Sequence, residues 1–208
     1  MHFLITAGGT REYIDPVRFI SNASSGKMGC ALARAALRAG HKVTLITAPM
    51  AQREPDGAKV IKVESAAEMF EAVKKHFAKC NCLIMAAAVA DYTPARPAKT
   101  KLKKTADALT LKLRPTADIL KWAGVHKKGK QIVVGFALED RAVRKRAEKK
   151  MIEKNLDMII ANTPAAIGAE KSTVLIKIQQ GEWEKIAKAT KSIIATGVIR
   201  EAENLLRM

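Results

Sequence analysis

The sequence predicts an α/β fold in three layers, αβα, with a mostly parallel central sheet closed by a C-terminal β-hairpin and helix. Three observations point there. Short apolar runs alternate with helix-like stretches along the whole chain of 208 residues. Hydrophobic residues make up 48%, enough to bury a real core and too many for a disordered chain. No internal repeat or linker divides the sequence, so 1–208 reads as one domain.

The elements follow in order. His2–Thr6 is a short apolar strand ended by Ala7-Gly8-Gly9. Gly26–Ala39 is a helix with small and apolar residues almost all round, so it packs on most faces. Gly40 stands at its C-terminal cap. Lys42–Thr47 is a β-branched strand stopped by Pro49, and the three elements make a right-handed βαβ crossover. Lys59–Val63 is a weaker alternating strand. Ser65-Ala66-Ala67-Glu68 is a capping box that opens a helix to about Lys79. Leu83–Ala88 is a strand buried on both faces.

Residues 89–107 hold Pro94, Pro97 and four lysines within 99–104, which predicts a long exposed loop of the functional or mobile kind. Leu109–Leu113 alternates like a half-exposed strand, and Thr116 caps a short helix through Trp122. Gln131–Phe136 is a strand, Glu139–Lys154 a helix and Asp157–Ala161 a strand. Ser172–Ile178 and Glu182–Ile186 form a hairpin about Gln179-Gln180-Gly181. Lys188–Arg207 is a helix weakened by Gly197. This order is Rossmann-like. Ligands on such sheets bind beyond the carboxyl ends of the strands, which singles out the loops Ala7–Ser25, Ala88–Lys104 and Ala137–Asp140.

Lys and Arg number 37 against 20 Asp and Glu, a net charge of +17 that asks for an anionic partner. Single-stranded nucleic acid would want aromatics among the cations. Aromatics are only 4%, and none lies within Lys99–Lys104. Segment 139–154 interleaves its cations with Glu139, Asp140, Glu148 and Glu153, the pattern of a solvated face. Nucleic acid is therefore not an expected partner. No apolar run approaches the roughly 18 residues of a membrane span. No basic stretch precedes His2-Phe3-Leu4-Ile5, so a secretory signal is not expected either. Cys30, Cys80 and Cys82 are odd in number and lack metal-site spacing, which suits core residues in a reducing cytoplasm.

Ser21-Asn22-Ala23-Ser24-Ser25-Gly26-Lys27-Met28-Gly29 leads straight into a helix. It offers hydroxyls, free amides, a helix N-terminus and a lysine, all of which favour a phosphate. The plainer reading is a serine-capped helix with Ser24 or Ser25 as the cap. The run fails the Walker A pattern twice, at Ser21 and at Met28. It also fails the dinucleotide fingerprint, since Ser24 stands at the middle glycine and no strand immediately precedes it. Nor does an acidic ribose partner follow the second strand at Thr47-Ala48-Pro49, which counts against a dinucleotide-dependent oxidoreductase. The residues alone leave a phosphate ligand of unspecified type.

Longer motifs carry more. Ile5-Thr6-Ala7-Gly8-Gly9-Thr10-Arg11-Glu12-Tyr13-Ile14-Asp15-Pro16-Val17-Arg18-Phe19-Ile20-Ser21-Asn22 is followed by Ser24-Ser25-Gly26-Lys27-Met28-Gly29. Then come Ala86-Ala87-Ala88-Val89-Ala90-Asp91-Tyr92, Lys101-Leu102-Lys103-Lys104, Asp118-Ile119-Leu120, Val134-Gly135-Phe136-Ala137, Lys154-Asn155-Leu156-Asp157 and Ala161-Asn162. This set, collinear from residue 5 to about 162, closely resembles the phosphopantothenoylcysteine synthetase family of coenzyme A biosynthesis. The resemblance implies a ligase that joins 4′-phosphopantothenate to L-cysteine through an acyl-nucleotide. It favours CTP over ATP, with Mg²⁺ on the triphosphate, no firm protein ligand to the metal and no flavin. It also implies a homodimer paired near Leu109–Leu113. In many bacteria the domain is fused behind a flavin-dependent decarboxylase. That partner is expected here as a separate chain, unless this is an excised domain.

The resemblance also assigns residues. Gly8, Gly9, Ser24, Ser25 and Gly26 would line the triphosphate. Asp91 is similar to the family's nucleotide-binding aspartate, and Ala87 lies in the same motif, next to nucleotide and substrate. Ala117, Asp118, Ile119, Leu120 and Phe136 would hold the base, with Lys150 and Lys154 on one helical face near the nucleotide. Asn22 would donate to developing oxyanion charge, and Lys101 would close over the nucleotide from a mobile flap. Arg18 would take the carboxylate or phosphate of the organic acid. Asp140 departs from the family, Tyr13 replaces a common Pro, and 163–186 carries no recognised motif. Of the +17, Arg18, Lys27, Lys101, Lys150 and Lys154 are expected to face ligand. Arg144, Lys145, Arg146 and the lysines of 171–191 are expected to be solvated.

Overall fold

The computed structural model describes residues 1–207. Strands β1 (His2–Ala7), β4 (Lys42–Thr47), β5 (Lys59–Lys62), β6 (Cys82–Met85), β9 (Ile132–Leu138) and β10 (Met158–Asn162) form the parallel part of one eight-stranded sheet. The hairpin β11 (Lys171–Ile178) and β12 (Glu184–Thr190) continues it antiparallel, giving the order β12-β11-β10-β9-β6-β1-β4-β5. The chain winds outward from β1 through β4 to β5, then crosses back to lay β6, β9 and β10 on the other side of β1. The topological switch point therefore lies between β1 and β6.

The strands alternate in the face they bury, as a period of two requires. Phe3, Ile5, Leu45, Ile84, Val134 and Ile160 meet α1 (Lys27–Arg38) and α5 (Lys191–Arg207) on one face. Leu4, Ile46, Leu83, Val133 and Ile159 meet α2 (Ala66–Phe77), α3 (Ile119–His126) and α4 (Val143–Glu153) on the other. Both faces are covered, so the central strands read as continuous apolar runs. Cys30, Cys80 and Cys82 are buried and free, and burial pushes the Cys80 thiol up to about 12. They are core residues.

Several boundaries differ from the sequence reading, each for a local reason. The expected Ala7–Ser25 loop contains a hairpin, β2 (Arg11–Tyr13) with β3 (Phe19–Ser21). It is anchored by the buried Glu12 carboxylate, which accepts from the Ala66 amide at the start of α2 at 2.8 Å. Leu109–Leu113 is not a strand. The pairing segment is β8 (Leu113–Pro115), antiparallel to β7 (Tyr92–Pro94) inside the expected long loop. α3 is capped by Asp118, which accepts from the Lys121 amide at 2.9 Å, because the Thr116 hydroxyl is spent on the Ala90 carbonyl at 2.6 Å. β9 runs on to Leu138 and the Glu139 amide bonds Asn162 at 3.0 Å, so α4 starts only after Ala142. β12 likewise runs to Thr190 and delays α5. Gly197 does not break α5. A Cβ there would stand 3.1 Å from Ile186, so the glycine lets the helix lie close on β12. The capping box at Ser65 and Glu68 forms as expected, Ser65 accepting from the Glu68 amide at 3.2 Å.

Among the described residues, no helix is long and apolar enough to cross a membrane.

Candidate active site

A cavity of about 870 Å³ opens at the carboxyl edge of the sheet, over the switch point. Its floor is the last residue of β6 and the segment after it, Met85 to Val89, and the end of β9 at Phe136 and Leu138. β1 is tied to this floor beyond its last regular residue, the Ala88 amide donating to the Gly8 carbonyl at 2.8 Å. The Ala87 amide donates to the Thr6 hydroxyl at 3.1 Å. These bonds fix the backbone on which any ligand would rest.

One wall is the segment Asn22–Gly29, which runs into α1. α1 does not have the expected serine cap. Gly26 occupies the cap position in the left-handed region, φ 73°, with no side-chain hydrogen bond, and the first turn carries no acidic residue. A side chain at Gly26 would also meet Met50, at 2.4 Å from Sδ. At Gly29 a Cβ would lie 2.4 Å from Ala7 Cβ, so the first turn of α1 presses directly on the end of β1. The helix N-terminus thus reaches the cavity with its amides uncommitted to a cap. That is the arrangement that attracts anions.

The opposite wall is Pro115–Leu120 and one face of α4. Lys154 forms an ion pair with Asp118 at 2.9 Å, and the Lys150 ammonium donates to the Phe136 carbonyl at 2.8 Å. Burial, then the nearby Lys154 charge, push the Lys150 ammonium below its ordinary value. Asp118 is lowered too. Burial works to raise it, but the Lys121 amide, the Lys154 contact and the Lys150 charge together outweigh that. Asp91 and Glu139 add two more carboxylates to the lining.

The structure gathers Asn22, Ser24, Ser25, Gly26, Ala87, Asp91, Ala117, Asp118, Ile119, Leu120, Phe136, Lys150 and Lys154 around this one space, although they span 133 positions (22 to 154, inclusive). Asn22 sits under it with its amide donating to the Val89 carbonyl at 3.1 Å and more weakly to Ala88 at 3.5 Å. Four expected residues lie elsewhere. Gly8 and Gly9 are not in the lining. They permit close backbone packing, since a Cβ would stand 2.5 Å from the Ala48 carbonyl oxygen at Gly8 and 2.8 Å from that of Asn22 at Gly9. Arg18 points its guanidinium at the buried Asp15 carboxylate and the Leu102 carbonyl, the latter at 2.7 Å. Lys101 is exposed on the neighbouring loop, outside the cavity.

The sequence reading missed the far end. Ala166, Ile167 and Gly168, from the stretch without a motif, line the cavity together with Lys191, beside Asn162 of the motif Ala161-Asn162. Lys191 is not a solvated lysine. It is half-buried and donates to the Ser172 hydroxyl at 3.0 Å and the Ala166 carbonyl at 3.2 Å. No local pattern marks it, because only the return of α5 beside α1 brings it to the site. Arg146, by contrast, pairs with Glu139 and Asp140 at 3.2 and 3.1 Å, as an ion-paired face should, and that gives Asp140 a place.

The family profile described as DNA/pantothenate metabolism flavoprotein C-terminal domain matches residues 1–206. The coenzyme A biosynthesis bifunctional protein CoaBC of Bacillus subtilis (strain 168) is 43% identical over 205 residues, covering 96% of this chain and 50% of that protein. A cysteine/cysteine sulfinic acid decarboxylase of an unknown prokaryotic organism is 43% identical over 207 residues, 97% of this chain and 58% of that protein. The chain thus spans about half the length of these curated relatives. The crystal structure of the C-terminal domain of a coenzyme A biosynthesis bifunctional protein CoaBC superposes with a TM-score of 0.86 at 38% identity. That match covers 99% of this chain and 95% of the other.

Proposed function

This chain belongs to the phosphopantothenoylcysteine synthetase family, and on that premise we propose that its cavity joins 4′-phosphopantothenate to L-cysteine at the expense of a nucleoside triphosphate, with CTP preferred over ATP. The observation that carries the reading is the convergence, in one cavity, of an uncapped helix N-terminus, lysines from three helices and a short run of backbone at Ala117–Leu120 beside Phe136. The first two suit a triphosphate, the third a base.

The acid's carboxylate oxygen attacks the α-phosphorus, the α–β bridging P–O bond breaks, and pyrophosphate leaves with that electron pair. The cysteine amine then attacks the acyl carbon, loses a proton, and CMP departs with the electrons of the C–O bond. The chain needs no side-chain nucleophile for either step. Ser24, Ser25, Gly26 and Lys27 hold phosphate oxygens at the positive end of α1. Lys150 and Lys154 spread the developing charge. Asn22 is positioned by the Val89 carbonyl to orient the acyl group. Lys101 approaches when its loop swings in, and Arg18 meets the organic acid after leaving Asp15.

Mg²⁺ fits a site of this type as a passenger of the triphosphate. Such an ion takes one or two carboxylates and otherwise phosphate and water oxygens. Asp91 and Glu139 are the carboxylates in the lining without a lysine ion pair. Among the described residues no cluster of three or more ligating side chains forms a cage of its own. The metal would supply charge neutralisation on the phosphates.

A homodimer fits the exposed Leu109, Leu111 and Leu113, apolar groups on the arm around β8. We place the protein in the cytoplasm, where the reduced state of its three thiols is maintained.

The test is incubation with phosphopantothenate, cysteine and CTP or ATP. Pyrophosphate release that depends on the organic acid supports the ligase. Release independent of the acid, or none with either nucleotide, removes it.

A further inference from the structure

We propose that a second, smaller cleft beside the cavity, between the length of α1 and the first turn of α5, binds the inorganic pyrophosphate that leaves the reaction. The inference rests on the ligase reading above. The cleft has a volume of about 230 Å³. Lys27, Arg34 and Arg38 of α1 face Lys191 and Ser192 of α5 across it, with Gln52 at its edge. Lys27 and Lys191 line the large cavity as well, so the two spaces share a wall made of two ammonium groups.

Charge identifies the occupant. Four of the lining side chains are cations and none is a carboxylate. Among the described residues, none of the four belongs to an ion pair, although thirteen pairs form elsewhere in the protein. Arg34 donates to the Arg53 carbonyl at 2.7 Å, Arg38 to the Ser192 hydroxyl at 3.5 Å, and Lys191 to Ser172 and Ala166. All these acceptors are neutral. Burial first, then the charge of Lys27, disfavour the ammonium of Lys191. Cations facing one another in a concavity repel unless an anion sits between them.

Size and position narrow the anion. The cleft falls below the roughly 300 Å³ at which small-molecule pockets begin, and it has no aromatic platform for a base. The large cavity runs from Asp118 and Phe136, the base side, to Lys27 and Lys191. A triphosphate with its α-phosphate against Ser24–Gly26 directs its β- and γ-phosphates at that lysine pair. When the α–β bond breaks, the released anion already touches the wall shared with the cleft. Arg34 and Arg38 then offer planar forks matched to phosphate oxygens. The cleft draws the leaving group away from the acyl-nucleotide and opposes the reverse reaction.

Calorimetry with sodium pyrophosphate and, separately, CMP tests this without turnover, so it can fail while ligation succeeds or succeed while ligation fails. The variants are Arg34→Gln/Arg38→Gln, Lys191→Met and Lys191→Arg, each checked by thermal melting. Pyrophosphate affinity is expected to fall about ten-fold or more in the first two, and to persist in Lys191→Arg, with CMP affinity within about two-fold of the parent throughout. Product inhibition by pyrophosphate falls in parallel. Unchanged pyrophosphate affinity in the double variant overturns the proposal. So does an equal loss of pyrophosphate and CMP binding in Lys191→Met, which would mark Lys191 as a strut for Ala166 and Ser172. If the double variant does not fold, Arg34→Gln alone decides, because Arg34 lines the cleft and not the large cavity: unchanged pyrophosphate affinity there overturns the proposal.

Discussion

The Asp15 carboxylate accepts a hydrogen bond from the Leu102 amide at 3.1 Å, joining residues 87 positions apart. Arg18 completes the latch, gripping the same carboxylate and donating to the Leu102 carbonyl at 2.7 Å. The loop that carries Lys101 is therefore held outside the cavity by a buried acid. Asp15→Ala removes the acceptor from both the loop and Arg18. Trypsin cleavage after Lys101, Lys103 and Lys104 is expected to run several-fold faster in this variant, because cleavage follows local opening. Cleavage at the parent rate would show that the loop is held by other contacts, such as the Ala98 amide on the Ile14 carbonyl at 2.8 Å.

The same acid sets an acid limit on stability. The Arg18 guanidinium beside Asp15 holds its carboxyl well below the usual carboxylate range. Burial opposes this, and the amides of Val17, Leu102 and Arg18 reinforce it. A folded value below the unfolded one adds stability that is present above about pH 4 and is lost as the pH falls toward the folded value. The melting temperature of the parent is expected to drop more steeply below about pH 4 than that of Asp15→Asn. Parallel curves would show that Asp15 contributes no linkage.

Two substitutions separate the half-reactions. Asn22→Ala is expected to leave acid-dependent pyrophosphate release largely intact and to lower formation of the ligated product. Equal loss of both would assign Asn22 to structure, through its bond to Val89. Lys101→Gln is expected to slow pyrophosphate release itself, and an unchanged rate would leave the flap without a chemical role.

Lys150 is expected to trade stability for binding. Its ammonium is lowered by burial and by Lys154, so keeping it charged costs folding free energy at neutral pH, and that cost shrinks as pH rises past the folded value. Lys150→Met removes the charge and keeps the length. The variant is expected to melt at or above the parent temperature at pH 7 while nucleotide affinity falls about ten-fold or more. A lower melting temperature would mean that the bond to the Phe136 carbonyl outweighs the burial cost.

The parts of the fold that one segment dictates were legible in the sequence. Lys42–Thr47 carries its strand in a β-branched run, and Ser65 with Glu68 announces α2. What depends on competition between partners was not. Thr116 looks like a helix cap until its hydroxyl is seen on Ala90, and Leu109–Leu113 has the alternation of a strand while its neighbour Leu113–Pro115 does the pairing. The three-residue strands β2 and β3 are too short to show a period. For the site, Asn22–Gly29 and the α4 lysines were singled out by a local run and by the family resemblance, and the structure brings them to one cavity. Lys191 was not, since the antiparallel hairpin and α5 carry it back over the sheet. The expected roles of Gly8 and Gly9 came from the family resemblance, and the structure adds that both sit in close backbone packing, against Ala48 and Asn22.

In the proposed reaction this cavity forms an acyl-nucleotide from an organic acid and a nucleoside triphosphate. The most direct measurement is a single turnover with 4′-phosphopantothenate and CTP, cysteine withheld, quenched and read by mass spectrometry. Phosphopantothenoyl-cytidylate is expected to accumulate in step with pyrophosphate and to vanish when cysteine is added, with CMP and phosphopantothenoylcysteine taking its place. The appearance of CDP with inorganic phosphate, or of a species that cysteine does not discharge, would contradict the account.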